Sequence, residues 1–474
     1  MSEILIGALV LAAIPLCLWG SLRFRSIFFA YLFVFIPGYL LIFRELYFKI
    51  YGTSALVVDL PDNVKVIKEI TWLYVLACFL LWRYLTKQRI NIRRELFLPI
   101  VLFCGYEGLQ AIRGLAAIGL KGELLAVREN LLYVPAVFMA VTLIRSQADL
   151  QTLTRRYAYL MLAAATYAFA QMAFQMESVA YLMNTEHEAR QYMYSSFFSD
   201  YNVLGWFSGT VLGLILPQRR AFERTKWLYY SATFLAIFWM IASQSRTAIV
   251  ALIVVGGIWA VRSRMNIKKA MGVGLLVVIF AGAAVWFIAP EALSSHRLLS
   301  AGVTDVRFLV VWPSLWVRFL EHPLIGHGLG LFGTETLAPD WVPDQPDEYA
   351  FTDNYYFVLA LTGGIIALVL FFFLLSRVFR KLNQFGRHST IPSVRDFATG
   401  VQLALVVTLV YCLISNYPQS FPESVHIWFL VGTAAALTNI VEKVTRDLSA
   451  ESFSVARPLP ARPPWPVDSS CPAS

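Results

Sequence analysis

Charged side chains are scarce in this chain of 474 residues: Asp, Glu, Lys and Arg make up 15% of it, whereas 58% of its residues are hydrophobic. The mean hydropathy of +0.62 excludes an ordinary water-soluble domain. The sequence also lacks any polar stretch long enough to form a separate soluble domain. This composition predicts an all-α integral membrane protein.

Cysteine is rare as well, and its placement excludes a disulfide framework. Four of the five cysteines lie within apolar runs, and the fifth, Cys471, is close to the C-terminus, so we interpret them as thiols. The N-terminus lacks the basic stretch of a secretory signal and carries Glu3 instead, which favours a retained membrane span.

What the sequence does have is a series of apolar runs, many close to the length of about 20 residues that crosses a membrane. We predict 12 to 13 transmembrane helices in one polytopic domain, residues 1–445, followed by a Pro-rich, disordered cytoplasmic tail at 446–474. The thirteen runs are 3–21, 27–43, 67–84, 95–113, 130–144, 157–176, 201–217, 227–243, 247–261, 271–288, 354–376, 397–415 and 425–441.

Basic residues collect at alternate junctions between these runs. Seven such loops hold 25 of the 39 Lys and Arg residues, which is the pattern of cytoplasmic loops and predicts an exported N-terminus. The exported side then receives 44–66, 177–199, the turn 243–246, the loop 289–353 and the turn 416–424. Because 289–353 is too long for a connector, we expect a small exported subdomain with short amphipathic helices.

A basic residue stands in the exported turn of "IASQSRTAIVAL", where Arg246 lies between two apolar runs. One interpretation is that its side chain reaches the membrane surface as an ordinary interfacial charge. The other is that Arg246, surrounded by Ser243, Ser245 and Thr247, binds phosphate oxygens with its forked guanidinium.

Further candidates occur on the same side. Arg307 opens the amphipathic stretch "TDVRFLVVWPSLWVRFLEH", either as a flanking interfacial charge or as a second anion-binding group. Asp353 and Asn354 begin the span "FTDNYYFVLALTGGIIAL", where either residue is a typical N-cap and Asp353 can also act as a general base. Arg128, at the predicted outer entrance to span five, is either an interfacial charge or a phosphate ligand.

The glycine run "HPLIGHGLGLFG" contains a formal G-x-G-x-x-G pattern at Gly328, Gly330 and Gly333. The pattern needs a βαβ context to bind a nucleotide, and here it follows a predicted amphipathic helix on the exported side. We therefore predict a tight, close-packed turn, with binding of a phosphate by the Gly328 and Gly330 amides as the alternative. His296, His322 and His327 lack metal-ligand spacing, so we expect no metal site.

The order of these motifs resembles the bacterial O-antigen ligase and polysaccharide polymerase superfamily. The resemblance rests on "DYN" at 200–202, "SQSRTA", the long loop with "W-x(3)-W" and "HPLIGHGLGLFG", and "TDNYYFVLALTGGI", and it covers residues 195–376. In many members the last motif reads His-Asn, whereas this chain has Asp353 at the histidine position.

The resemblance implies a multi-pass enzyme of the bacterial inner membrane whose active site faces the periplasm or cell exterior. The donor would be an oligosaccharide linked to undecaprenyl pyrophosphate, used without metal, nucleotide or other cofactor. Arg246 and Arg307 would bind the pyrophosphate and Asp353 would accept the proton, with Arg128, Asn354, Gly328 and Gly330 as further substrate-binding residues. Membrane lipids surround the protein, and we expect no nucleic-acid partner.

Members of this superfamily catalyse one of two reactions, and we favour the first for this chain. A polymerase joins lipid-linked repeat units of O-antigen or exopolysaccharide, whereas a ligase passes the glycan to a lipid A core. A polytopic transporter or flippase is a third alternative, but it predicts ionisable residues near the membrane midplane. The conspicuous polar residues instead gather in the loops predicted to be exported.

Overall fold

The computed structural model describes residues 15–41, 62–174, 195–198, 201–243, 245–263, 309, 311–332, 354–415 and 418–455, with backbone alone at 62–66, 117, 121 and 448–455. These residues form helices and connecting turns, with no strand among them, which confirms the predicted all-α membrane fold. The helices are α1 (Pro15–Leu22), α2 (Phe24–Tyr39), α3 (Asp62–Thr86), α4 (Arg94–Ala116), α5 (Ile118–Leu143), α6 (Gln147–Ala173), α7 (Tyr201–Ile215), α8 (Lys226–Ala242), α9 (Arg246–Arg262), α10 (Trp312–Glu321), α11 (Tyr355–His388), α12 (Pro392–Tyr411) and α13 (Glu423–Val455).

Within the described residues, five helices are long and apolar enough to cross a membrane. They are α4, α5, α11, α12 and the part of α13 up to Asp447, and α1 with α2 would form a sixth span bent by 95°. The predicted tenth run, 271–288, lies outside the described residues, as do residues 42–61. The total of 12 to 13 spans therefore stays a prediction.

The chain departs from the sequence prediction ahead of span five. We expected a connector between runs 95–113 and 130–144, but the chain stays helical there and breaks only around Gly119, whose φ is 69°. Three charged residues lower the mean hydropathy of this segment, namely Lys121, Glu123 and Arg128. The sequence therefore predicted that the apolar run begins at 130. Arg128 consequently lies within α5, and its predicted position at the entrance of the span is wrong.

The two ends of the helix bundle are distinct. At one end, which we call the basic end, Arg25 pairs with Asp149 and Lys381 lies 3.4 Å from Glu95. The opposite end, which we call the motif end, holds Arg246, Asn354 and the C-terminus of α12. The described parts of the loops predicted as cytoplasmic lie at the basic end, and the direction in which either end faces stays a prediction.

Helix α7 forms the centre of the bundle, and 13 of its 15 residues are buried. Small residues let neighbouring helices approach its backbone closely, as is common in membrane bundles. A Cβ atom on Gly213 would lie 2.7 Å from the backbone nitrogen of Ala404 in α12. This close packing holds the last turn of α7 against the middle of α12.

The amphipathic helix expected in the long loop is present as α10. Its buried side chains, Leu315 and Phe319, pack with Val311 against Leu361 of α11, whereas Trp316 is 53% exposed. At the C-terminus α13 continues to Val455. The predicted start of the tail at 446 therefore falls inside this helix.

Candidate functional site

Arg246 is the first residue of α9, at the motif end. Ser245 caps this helix, because its Oγ accepts a hydrogen bond from the Ala248 amide at 3.4 Å. Ser243 and Ser245 are buried, while Arg246 is exposed. The amides at a helix N-terminus carry positive partial charge and attract anions. The guanidinium and the helix end therefore present positive charge at one place.

Asn354 caps α11, the other helix that begins at this end. Its Oδ1 accepts hydrogen bonds from the amides of Tyr356 at 2.9 Å and Phe357 at 3.2 Å, and the residue is 5% exposed. The sequence left Asp353 and Asn354 as alternative N-caps. The N-cap is Asn354. Asp353 itself lies outside the described residues.

The last turn of α12 brings these two helix starts together. The Tyr355 amide, next to Asn354, donates to the Cys412 carbonyl at 2.9 Å. On the other side, a Cβ atom on Gly205 of α7 would lie 2.6 Å from the Tyr411 hydroxyl and 3.0 Å from Ser243 Oγ. The turn that carries Arg246, the start of α11 and the start of α7 therefore surround one point of the bundle.

Arg128 belongs to a different cluster, with α3. Its Nη1 lies 3.5 Å from Glu69 Oε1 and its Nη2 lies 3.2 Å from Glu129 Oε1, while Lys68 Nζ is 3.7 Å from Glu69. Glu69 is buried. Arg128 is thus ion-paired inside the bundle, and its role in binding substrate stays a prediction.

The glycine run forms a turn that is inserted beside a break in α11. At the break Gly364 has a φ of 66°, so the helix cannot continue its regular hydrogen bonds. The freed carbonyls of Leu361 and Thr362 accept from the amides of His327 at 2.8 Å and Gly328 at 2.9 Å.

The turn also accepts hydrogen bonds from the broken helix. The freed amides of Ile365 and Ile366 donate to the carbonyls of Pro323 at 2.9 Å and Leu324 at 3.4 Å. Backbone groups of a membrane protein need such partners, because an unpaired amide or carbonyl in lipid costs several kcal/mol. The turn thus supplies the partners that the broken helix lacks.

Helix α4 holds the other side of the turn. Arg113 donates from Nη1 to the Ile325 carbonyl at 2.6 Å and from Nη2 to the Gly326 carbonyl at 3.0 Å. A Cβ atom on Gly328 would lie 3.0 Å from the amide nitrogen of Gly114. This confirms the predicted close-packed turn. The Gly328 amide already donates to Thr362, and substrate binding by Gly328 and Gly330 stays a prediction.

Sequence reasoning missed several polar residues in the bundle. Glu107 in α4 and His426 in α13 are 2% and 3% exposed, and His426 Nδ1 lies 2.8 Å from the Tyr157 hydroxyl. The signal was present, since a glutamate stands inside the apolar run "FCGYEGLQA". The bundle interior therefore holds ionisable groups that we expected only in the loops.

Several other predictions concern residues that do not belong to this site. Arg307 and Gly333 are outside the described residues. His322 and His327, for which we expected no metal-ligand spacing, have ring centroids 4.7 Å apart. Among the described side chains, however, no group of three or more His, Cys, Asp or Glu is placed to hold a metal ion.

Two cavities, of about 420 and 390 Å³, lie at the basic end, across the bundle from Arg246 and Asn354. We assign the candidate site to the motif end, because the predicted chemistry needs the arginine and helix N-termini assembled there.

A comparison with protein families finds a match over part of the chain. Residues 231–372 match a family model described as O-antigen ligase. The match begins in α8 and ends in α11, so it includes Arg246, the inserted glycine turn and Asn354. A search of the curated proteins finds no match to this chain.

Proposed function

From the match of residues 231–372 to the O-antigen ligase family model, we propose that this chain is a membrane glycosyltransferase of the O-antigen ligase and polysaccharide polymerase superfamily. Its donor is a glycan on undecaprenyl pyrophosphate, used at the outer leaflet of the bacterial inner membrane. Its reaction joins repeat units of O-antigen or exopolysaccharide.

One observation carries the proposal: the turn holding Arg246 and the cap formed by Asn354 lie around the same last turn of α12. When the sugar is transferred, negative charge develops on the departing pyrophosphate. Fixed positive charge at that position stabilises the transition state. The guanidinium of Arg246 and the N-terminus of α9 supply such charge, and Arg307 is proposed to add to it.

The second part of the reaction concerns the acceptor hydroxyl. We assign Asp353 as the general base, since it directly precedes Asn354 and is not needed as the N-cap. Its carboxylate takes the proton while the acceptor oxygen bonds to the anomeric carbon and the bond to the pyrophosphate oxygen breaks. Asn354 holds the start of α11 in place through its two hydrogen bonds.

An O-antigen ligase is the second candidate, and the matching family, described as O-antigen ligase, favours it. The donor chemistry is the same, and the acceptor is the lipid A core instead of another lipid-linked glycan. Arg246 and Asp353 have the same roles in either reaction.

Deletion of the gene in its native host tests both candidates. The surface glycans are separated on gels, and the lipid-linked intermediates are analysed by mass spectrometry. Single repeat units on lipid, or on lipid A core, indicate a polymerase, and full-length chains stranded on undecaprenyl pyrophosphate indicate a ligase. Unchanged glycans and intermediates overturn both.

A further inference from the structure

The larger cavity at the basic end is strongly positive. It has a volume of about 420 Å³ and lies where α3 and α5 end, beside residues 439–447 of α13 and the connector between α3 and α4. Five of its lining side chains are cationic and one is anionic, namely Arg83, Arg89, Arg145, Lys443, Arg446 and Asp447.

The walls of this cavity are held by specific contacts. The Arg145 guanidinium lies over the Trp82 ring, 5.5 Å from its centroid, and Nε donates to the Thr142 carbonyl at 2.6 Å. Across the cavity, Asn439 Nδ2 donates to the Asn91 carbonyl at 2.9 Å, which ties α13 to the connector. The lining is therefore organised before any ligand binds.

Three of the cations have no carboxylate partner. Arg89, Lys443 and Arg446 are exposed, and none forms an ion pair with a carboxylate in the part of the chain that the structure describes. Like charges that share one cavity repel each other, and an anion placed between them relieves the repulsion. The cavity thus has the charge of an anion-binding site.

The same cavity is also partly apolar. Val141 and Ile144 are buried in its lining, and Trp82 has the amphipathic ring that favours the membrane interface. A second cavity of about 390 Å³ shares Trp82 and Arg145 and adds Arg23. A ligand with an anionic phosphate and apolar chains matches this combination better than a free anion does.

We propose that the cavity binds the phosphate headgroup of an anionic phospholipid, of the phosphatidylglycerol class, from the leaflet at the basic end. Basic pockets between transmembrane helices are a general means of recognising such headgroups. Arg89, Lys443 and Arg446 contact the phosphate, and Arg145 on Trp82 forms the wall between the two cavities. This inference is independent of the reaction proposed at the motif end.

The test uses the purified full chain in detergent and follows its thermal unfolding as phospholipid is added. Phosphatidylglycerol, phosphatidylcholine and inorganic phosphate are compared. We expect a saturable rise in the melting temperature with phosphatidylglycerol alone. The triple variant Arg89→Gln, Lys443→Gln and Arg446→Gln should need about tenfold or more phosphatidylglycerol for half of that effect.

Two further variants control for charge and for folding. Arg224→Gln, Lys226→Gln and Arg380→Gln remove the same charge from exposed positions at the basic end outside the cavity, and this variant should respond like the wild type. The triple variant Arg89→Lys, Lys443→Arg and Arg446→Lys keeps the charge, and it should also respond like the wild type.

Three results would overturn the proposal. The first is an equal response of the wild type to phosphatidylcholine, and the second is an equal response to inorganic phosphate, which would indicate a free-phosphate site. The third is an equal loss of response in both neutralised variants, which would show that only the overall charge matters.

Discussion

Gly326 packs against the backbone just before Gly364, and Gly364 packs against the backbone just before Gly326. Neither position has room for a side chain. A Cβ atom on Gly326 would lie 2.5 Å from the Thr362 carbonyl, and one on Gly364 would lie 2.3 Å from the Leu324 carbonyl. Both residues also have positive φ, 63° and 66°, which other L-residues adopt at a cost. The inserted turn and the break in α11 therefore require each other.

Gly326→Ala and Gly364→Ala should each destabilise the protein by about 3 kcal/mol or more, because left-handed strain adds to overlap with a fixed backbone. The measurement is the free energy of unfolding in mixed micelles. Gly256→Ala is the matched control, since this glycine lies inside α9 with no atom within 4 Å of an added Cβ. It should be neutral or stabilising by up to about 1 kcal/mol, and equal losses in all three variants would contradict the argument.

Arg113→Met should destabilise the protein by about 1–2 kcal/mol, because the Ile325 and Gly326 carbonyls lose charged hydrogen-bond donors. The same unfolding measurement applies. Arg318→Met provides the comparison, since the exposed Arg318 pairs only at 3.4 Å with the exposed Glu321, and such pairs contribute about 0–1 kcal/mol. If Arg113→Met were as mild as Arg318→Met, then Arg113 would not anchor the turn.

Much of this architecture was predictable from the sequence because the signals are local. Apolar runs predicted which parts of the described chain are helical, although α5, α6, α11 and α13 extend well beyond their runs. The glycine run predicted a close-packed turn. What the turn packs against was not predictable. Gly114 and Gly364 are far from Gly328 in sequence, and contacts between such distant segments leave no periodic pattern in one chain.

The site was predictable in part for the same reason. A serine before Arg246 and an asparagine before Tyr355 are local capping signals, and both caps are present. That Cys412 and Tyr411 bring the two caps together depends on helix packing. The start of α5 was missed because charged residues lower the hydropathy of a helix without ending it, whereas the burial of Glu107 depends on how α4 packs against other helices.

Arg246→Lys should lower glycan transfer by about tenfold to a hundredfold with unchanged folding, because lysine keeps the charge but loses the planar fork. Transfer is measured with purified enzyme in vesicles that contain the lipid-linked donor. Arg262→Lys, at the other end of the same helix, should stay within about twofold of the wild type. Full activity of Arg246→Lys would show that Arg246 is an ordinary interfacial charge.

Low pH should weaken the basic end through Asp149. Burial alone would raise the pKa of this carboxyl, but hydrogen bonds from the Arg145 backbone, Ser146 and Arg25 outweigh it and hold the pKa below its ordinary value. A lowered pKa contributes stability above the unfolded value of about 3.9, and this stability is lost as the pH falls through the folded pKa.

The advantage of the wild type over Asp149→Asn in melting temperature should therefore be largest at pH 7 and shrink as the pH falls below about 4. Glu223→Gln, an exposed carboxyl at the same end, should follow the wild-type curve. A constant difference between wild type and Asp149→Asn across the pH range would show that the carboxylate charge is not involved.

The break in α11 also bears on how the protein is assembled. Residues 322–330 are synthesised before α11, yet their hydrogen bonds form only after Leu361 through Ile366 have followed. An isolated α11 with this break would expose two carbonyls and two amides to lipid, at several kcal/mol each. The break in α11 therefore depends on the earlier segment, because its backbone groups have all four of these partners only when residues 322–330 lie beside it.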